Sequence, residues 1–264
     1  MSAVTLTKLG KVATVTINDN KVNIMTLAVW QALYSTLKEA EADPTISALI
    51  YRSGLKKNVF TAGNDITELY APNTNEKKYA VFWLAQNQFL SNLARSRLFT
   101  VAAVRGACPA GGCALALCCD ERYISSDATS GLNEARIGIS VPAYWQRMMA
   151  HVVGVKEAER LCSLGMMLDA AGLIKVGFAD EVVDASALEQ TVQKRVDVVM
   201  KEVPDAGRVI SKMQARRYIT DEWADEDRIN QEAADKWPFL ASEPVVKALG
   251  ATLARLSGNK KSKI

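Results

Sequence analysis

The sequence predicts an α/β fold that gives way to helices in its carboxyl-terminal third. Two observations carry the prediction. Through the first two thirds of the 264 residues, short β-branched runs alternate with segments of helical periodicity, and repeated β-α units of this kind argue a layered core. From Pro142 onward the periodicity is helical almost throughout, broken by Asp180-Glu-Val-Val-Asp184.

Each element has its own local warrant. Val12, Thr14 and Thr16 alternate with Ala13, Val15 and Ile17 behind a turn at Gly10-Lys11, the pattern of a half-buried strand in an opening hairpin. Thr26 is placed to cap a helix carrying Leu27, Trp30, Leu33, Tyr34 and Leu37, which Asp43-Pro44 stops. Ala48-Leu-Ile-Tyr51 reads as a short buried strand. A loop over 53–63 leads to a short helix over 64–70. A longer helix over 76–94 is expected to turn Val81, Leu84, Phe89 and Leu93 inward. Phe99-Thr-Val-Ala-Ala-Val104 is a strand by its β-branched content, followed by a glycine-marked turn, an apolar helix to Cys119 and the strand Arg122-Tyr-Ile-Ser125. Amphipathic helices are expected over 186–203, 205–219, 221–236 and 244–256, and each needs a covering surface, its own core or a neighbouring subunit.

Composition excludes several functions. Lys and Arg total 32 against 29 acids, a net charge of +3, too small a field to gather nucleic acid or an anionic membrane. Arg216-Arg217 and the terminal lysines form too small a basic patch for an RNA-binding face. No apolar run reaches the ~18 residues of a bilayer span, and the amino terminus does not read as a leader. The single histidine, His151, leaves no zinc site built on two or three histidines. No G-x-S-x-G supplies a nucleophile for a serine triad either. Cys108, Cys113, Cys118 and Cys119 fall on an apolar stretch without C-x-x-C spacing, so they read as core thiols of a reducing compartment rather than metal ligands. No metal and no separate cofactor are expected.

Chemistry is concentrated in two glycine-marked turns. Gly106-Ala-Cys-Pro-Ala-Gly-Gly112 lacks the Lys-Ser/Thr of a phosphate loop and the spacing of a dinucleotide loop. It fits instead a strand-to-helix turn whose bare Gly111 and Gly112 amides, at a helix N-terminus, admit a negatively charged oxygen. Val59-Phe-Thr-Ala-Gly-Asn-Asp-Ile66 is a second such turn. Two turns giving one N–H each would make an oxyanion hole, which needs converging donors.

Taken in order, three motifs resemble the crotonase (enoyl-CoA hydratase/isomerase) superfamily over essentially the whole chain. Phe60-Thr-Ala-Gly-Asn-Asp-Ile66 is similar to the family's F-[SA]-A-G-x-D-[IL] loop. Arg105-Gly-Ala-Cys-Pro-Ala-Gly-Gly-Cys113 is similar to its second oxyanion loop, and Gly131-Leu-Asn-Glu-Ala-Arg-Ile-Gly138 to the segment bearing a catalytic glutamate. The wording is nearest the mitochondrial-type Δ3,Δ2-enoyl-CoA isomerase branch. The resemblance implies a ClpP/crotonase-like fold of repeated β-β-α units. It also implies a core over 1–200, a helical trimerisation region over 201–264, and a homotrimer or dimer of trimers. It implies an acyl-CoA thioester as substrate, CoA being part of that substrate, with the thioester oxygen accepting from the N–H groups of Ala62 and Gly111. The run Ala62, Gly63, Asn64, Asp65 and Ile66 would border CoA, and Glu134 would be the acid/base.

Two departures select among the family's reactions. Ala114 stands where a hydratase carries its second carboxylate, and Pro142 where dienoyl-CoA isomerases carry another. One carboxyl suffices to move a double bond from C3 to C2, whereas activating water needs two. The resemblance therefore implies a Δ3,Δ2-enoyl-CoA isomerase of fatty-acid β-oxidation, with enoyl-CoA hydratase or another crotonase-fold acyl-CoA enzyme as the alternative. Lys56 and Lys57 are read as solvated rather than phosphate-binding. Trp83, Phe89 and Trp145 are read as core rather than tunnel wall, and Asp120 and Asp127 as structural. The terminal Ser262-Lys263-Ile264 is one side chain away from the peroxisomal S-K-L address. A β-oxidation organelle, peroxisome-type or the mitochondrial matrix, is the expected compartment.

Overall fold

A computed structural model describes residues 3–261, so the Ser262-Lys263-Ile264 address lies outside the described residues. The hairpin β1 (Val4–Leu9) and β2 (Val12–Ile17) is antiparallel, with Ala13, Val15 and Ile17 buried as their alternation predicts. Helix α1 (Leu27–Ala42) begins at Thr26, whose hydroxyl accepts the Val29 amide. Then follow β3 (Ala48–Ser53), a single 3-10 turn (Ile66–Glu68), α2 (Glu76–Ala94), β4 (Phe99–Val104), β5 (Ala107–Pro109) and α3 (Gly111–Cys118). The chain continues through β6 (Glu121–Ser125), β7 (Thr129–Gly131), a second 3-10 turn (Glu134–Ile137), α4 (Ala143–Val153), α5 (Val155–Ser163), β8 (Leu168–Asp169), α6 (Ala170–Lys175) and β9 (Glu181–Val183). Four helices close it: α7 (Leu188–Glu202), α8 (Asp205–Trp223), α9 (Glu226–Leu240) and α10 (Glu243–Lys261).

The main sheet has the order β1-β2-β3-β4-β6-β9, parallel from β2 to β9, and β5-β7-β8 form a second, smaller sheet. Strand β4 is buried along its whole length because both faces of the parallel sheet are covered. On one face Ile50, Phe99, Val101 and Tyr123 pack on Leu188, Val192, Val196 and Val199 of α7. The opposite face packs against α1, α2 and the apolar helix α3. All five cysteines are buried and unpaired. His151 sits on α4 with Nδ1 3.0 Å from the Tyr218 hydroxyl, a packing contact.

Three local expectations are corrected. The helix expected over 64–70 is only the 3-10 turn, because the Asp65 amide and the Gly63 carbonyl are already bonded across to Met25 (3.2 and 2.9 Å) and hold that backbone extended. Val81 is 50% exposed; the inward face of α2 is Tyr79, Phe82, Trp83, Gln86, Phe89, Leu90 and Leu93. The break expected near 220 falls at Ala224, since Asp225 is the residue whose carboxylate caps the next helix through the Asp227 and Arg228 amides.

The helices beyond residue 200 lie on the core. Trp223 stacks on Tyr144 (5.5 Å, 8°) and its indole N–H donates to Asn87 of α2 at 2.8 Å. Helix α8 is also fastened at the far end of α3. Arg216 donates to the carbonyls of Ala94, Cys118 and Cys119 at 2.9–3.0 Å, while Asp120 receives Lys212 at 2.9 Å and Arg216 at 3.3 Å. Asp120 pairs with both cations and all three groups are nearly buried; burial alone would raise the Asp120 pKa, but Lys212 and Arg216 hold its carboxyl below the ordinary range. Asp120 is thus structural, as expected. Asp120→Ala would strand two buried cations, and we expect a loss of about 3–5 kcal/mol, read as a shifted urea midpoint.

Candidate active site

The two glycine-marked turns are tied together by β5. The Phe60 and Thr61 amides donate to the Ala107 carbonyl at 2.9 and 3.2 Å, so the first loop rides on the strand that introduces the second. Helix α3 then starts at Gly111. Its first intrahelical bond is from the Ala114 amide to the Ala110 carbonyl, 2.9 Å, leaving the Gly111 and Gly112 amides ahead of the ladder at the positive end of the helix. Ala110 takes φ 50° and ψ −117°, a strained conformation for a residue with a side chain. Gly111 admits no side chain, for a Cβ there would stand 2.5 Å from Asn64 Oδ1 and 2.9 Å from Trp30 Cζ2.

Glu134 opens the second 3-10 turn and is 4% exposed. Its Oε2 has no hydrogen-bond partner, an arrangement that is costly for a charged oxygen. Burial in apolar surroundings pushes its pKa from the ordinary 4.5 up to about 7. The turn ends at Gly138, in the left-handed region (φ 82°), and a Cβ there would meet Ala248 of α10 at 2.6 Å. That close approach lays α10 against the Glu134 turn.

Between these elements lies a cavity of about 190 Å³. Ala62, Asn64, Ile66, Pro109 and Ala110 of the two loops border it, as does Glu134. Trp83, Gln86 and Tyr79 of α2, Pro142 and Trp145, Lys236 and Leu240 of α9, and Thr252 and Arg255 of α10 are among the other wall residues. Glu134 is its single carboxylate among the described residues. An ordered amide chain runs beneath the loops: the Trp30 indole N–H donates to Asn64 Oδ1 at 3.2 Å, and Asn64 Nδ2 donates to Gln86 Oε1 at 3.0 Å.

The structure thus brings Ala62, Asn64, Ile66 and Glu134 to one cavity, with Gly111 one residue behind Ala110. Gly63 and Asp65 do not border it; the Gly63 carbonyl is held by Met25 and the Asp65 carboxylate caps the 3-10 turn. The Ala62 amide differs from expectation, for it donates to the Val22 carbonyl at 2.9 Å and is not open to a ligand in this state. Val22 is presented there by a loop whose Asn20 and Asn23 both have positive φ. The Asn23 amide group pins that loop to the Ile17 and Phe60 carbonyls. Trp83 and Trp145 are wall residues rather than core alone, whereas Phe89 packs in the core against Trp30 and Tyr51. Lys56 and Lys57 are exposed and away from the cavity. Ala114 is buried within α3. Sequence reasoning missed Gln86 and Lys236; a polar residue interrupting the apolar face of α2, and a lysine at the end of an amphipathic helix, were the available signals.

Comparison with known proteins agrees with this architecture. Residues 7–236 match the family model described as enoyl-CoA hydratase/isomerase. The chain belongs to that family of enzymes. It is 32% identical over 257 residues to the mitochondrial enoyl-CoA delta isomerase 1 of Mus musculus, covering 94% of this chain and 85% of that protein. It is 30% identical over 218 residues to a short-chain-enoyl-CoA hydratase of Clostridium acetobutylicum, covering 82% of each. The crystal structure of human mitochondrial delta3-delta2-enoyl-CoA isomerase superposes with a TM-score of 0.92 at 28% identity, covering 98% of this chain and 99% of that one. The fold is the crotonase fold.

Gly111→Ala tests the turn directly. The added methyl must displace Asn64 and Trp30, and we expect the overpacking to cost about 1–3 kcal/mol, read as a shifted urea midpoint.

Proposed function

We propose that this chain is a Δ3,Δ2-enoyl-CoA isomerase that moves the double bond of a 3-enoyl-CoA to give the trans-2-enoyl-CoA in fatty-acid β-oxidation. The observation that carries the reading is a single buried carboxyl, Glu134, whose Oε2 has no hydrogen-bond partner, in a mostly apolar cavity near the N-terminus of α3. Ionised Glu134 takes a proton from C2; the electron pair of that C–H bond moves into a dienolate, whose charge rests largely on the thioester oxygen. The Gly111 amide and the α3 dipole stabilise that oxygen. The Ala62 amide joins them when the thioester oxygen displaces the Val22 carbonyl. Protonated Glu134 then returns the proton at C4, leaving the double bond between C2 and C3. One group serves as base and then acid, and a pKa near 7 suits both.

Hydration is the second reading, because a hydratase is among the relatives. It needs a second carboxylate to hold water, and the cavity wall offers Glu134 alone among the described residues. The homotrimer, single or paired, belongs to the same proposal; exposed Ile210 and Met213 of α8 and Val155 of α5 are apolar surface available to it. So does a β-oxidation organelle, the mouse and human relatives being named mitochondrial.

The deciding experiment offers the protein 3-hexenoyl-CoA and, separately, 2-hexenoyl-CoA and follows both by chromatography and mass. The proposal expects the 3-enoyl ester to become the 2-enoyl ester with little gain of water; rapid hydration of 2-hexenoyl-CoA overturns it. Glu134→Gln is expected to lower kcat by ~10²–10⁴ while retaining acyl-CoA binding.

The pH dependence follows from the direction of the shift. Below about 7 Glu134 is protonated and cannot accept the C2 proton, so kcat/KM should rise tenfold per pH unit toward 7 and then level off. Stability runs the other way. With the folded pKa above the unfolded one, the folded state is favoured by the neutral acid, and that advantage is lost as pH rises from about 4.5 to about 7. Glu134→Gln should therefore stabilise the protein at pH 8, by up to roughly 3 kcal/mol at 1.36 kcal/mol per unit, and leave it unchanged at pH 4. Thermal unfolding at the two pH values measures the difference.

A further inference from the structure

The wall of the cavity formed by α2 is richer in hydrogen-bond donors than a hydrocarbon chain requires. The direction of the amide chain beneath the loops is fixed by its first member. An indole N–H can only donate, so Asn64 must accept from Trp30 with Oδ1 and donate to Gln86 with Nδ2. Gln86 is thereby locked with Oε1 inward and its Nε2 amide left over. That nitrogen donates to no group among the described residues, and Gln86 borders the cavity. One turn earlier on α2, Trp83 also borders the cavity and its Nε1 has no partner. Lys236 lies 4.9 Å from the centre of the Trp83 ring and reaches Glu232 only at 3.6 Å. Burial pushes the Lys236 ammonium below its ordinary range.

A plain alkyl chain laid along this wall would strip water from the Gln86 amide and return no acceptor. A site built to hydrogen-bond an oxygen rejects the analogue that lacks it far more strongly than an apolar pocket rejects an added hydroxyl. We propose that the acyl cavity is built for thioesters whose acyl chain carries an oxygen acceptor beyond the reacting carbons, a hydroxyl or a carboxylate, received by Gln86 of α2 and, over the Trp83 ring, by Lys236 of α9. The proposal rests on the reading of this cavity as an acyl-CoA site and names its substrate class.

Saturated thioesters, which cannot isomerise, separate this inference from the reaction itself. Titration calorimetry of the full chain with hexanoyl-CoA, 6-hydroxyhexanoyl-CoA and adipoyl-CoA should show one oxygenated thioester binding at least ~10-fold tighter than hexanoyl-CoA. Gln86→Leu should reduce that preference to near parity, and Gln86→Met, of similar length, repeats the test if the leucine variant does not fold. A preference confined to adipoyl-CoA and removed by Lys236→Met identifies the carboxylate as the acceptor. One shared by the hydroxy ester and removed by Gln86→Leu identifies a neutral oxygen. Equal affinity for all three thioesters in the unsubstituted protein overturns the proposal. A preference that survives both Gln86 variants and Lys236→Met overturns it as well. So does water addition to 2-hexenoyl-CoA that Gln86→Leu abolishes, since Gln86 would then hold water. Failure of 3-hexenoyl-CoA to isomerise, by contrast, speaks only to the proposed reaction.

Discussion

Helix α3 has to be held at both ends, and the rest of the molecule depends on that. It carries no polar side chain, so nothing along its flank fixes its axial position; only its terminal amides and carbonyls are polar. At the amino end the unpaired amides are the chemical resource. At the carboxyl end Arg216 takes up the Cys118 carbonyl and shares the Cys119 carbonyl with Arg122. Arg216 also sets a positive charge against the negative end of the helix dipole, the favourable placement. A residue of the helical carboxyl-terminal third thus fixes a helix whose opposite tip faces the cavity. The Asp120 carboxylate pairs with both cations gathered there.

The second constraint is the dryness around Glu134. The same burial that raises its pKa destabilises the fold at neutral pH, and Trp145 and α10 line the same cavity, with α10 close against the Gly138 turn. Stability and basicity are opposed at this one carboxyl, and burial favours basicity. Ala110 repeats the trade on a smaller scale, holding a strained backbone where the turn must deliver an amide.

Much of this was legible in the sequence, for identifiable reasons. Thr26, Asp43-Pro44 and the β-branched runs are local signals, and the hairpin, α1, α2 and the parallel strands appear where they fall. The glycine turns were legible because glycine before a helix has few physical uses, whereas Glu134 was legible only through the resemblance of Gly131–Gly138 to the family's glutamate-bearing segment. What stayed hidden was non-local. The Asp65 amide is taken by Met25, forty residues away, so a segment with helical wording forms one turn. The Val22 carbonyl on the Ala62 amide depends on two asparagines with positive φ, and nothing in the Phe60–Ile66 motif announces it. Gln86 and Lys236 converge only because α9 lies along α2, a tertiary fact that periodicity does not contain.

The seating of α10 against the Gly138 turn has a consequence for synthesis. Chains emerge from the ribosome amino end first and fold as they appear. The sheet, both glycine turns and Glu134 all precede α10 in the chain, whereas Thr252 and Arg255 of α10 line the cavity. The wall of the cavity is therefore finished later than the elements it encloses.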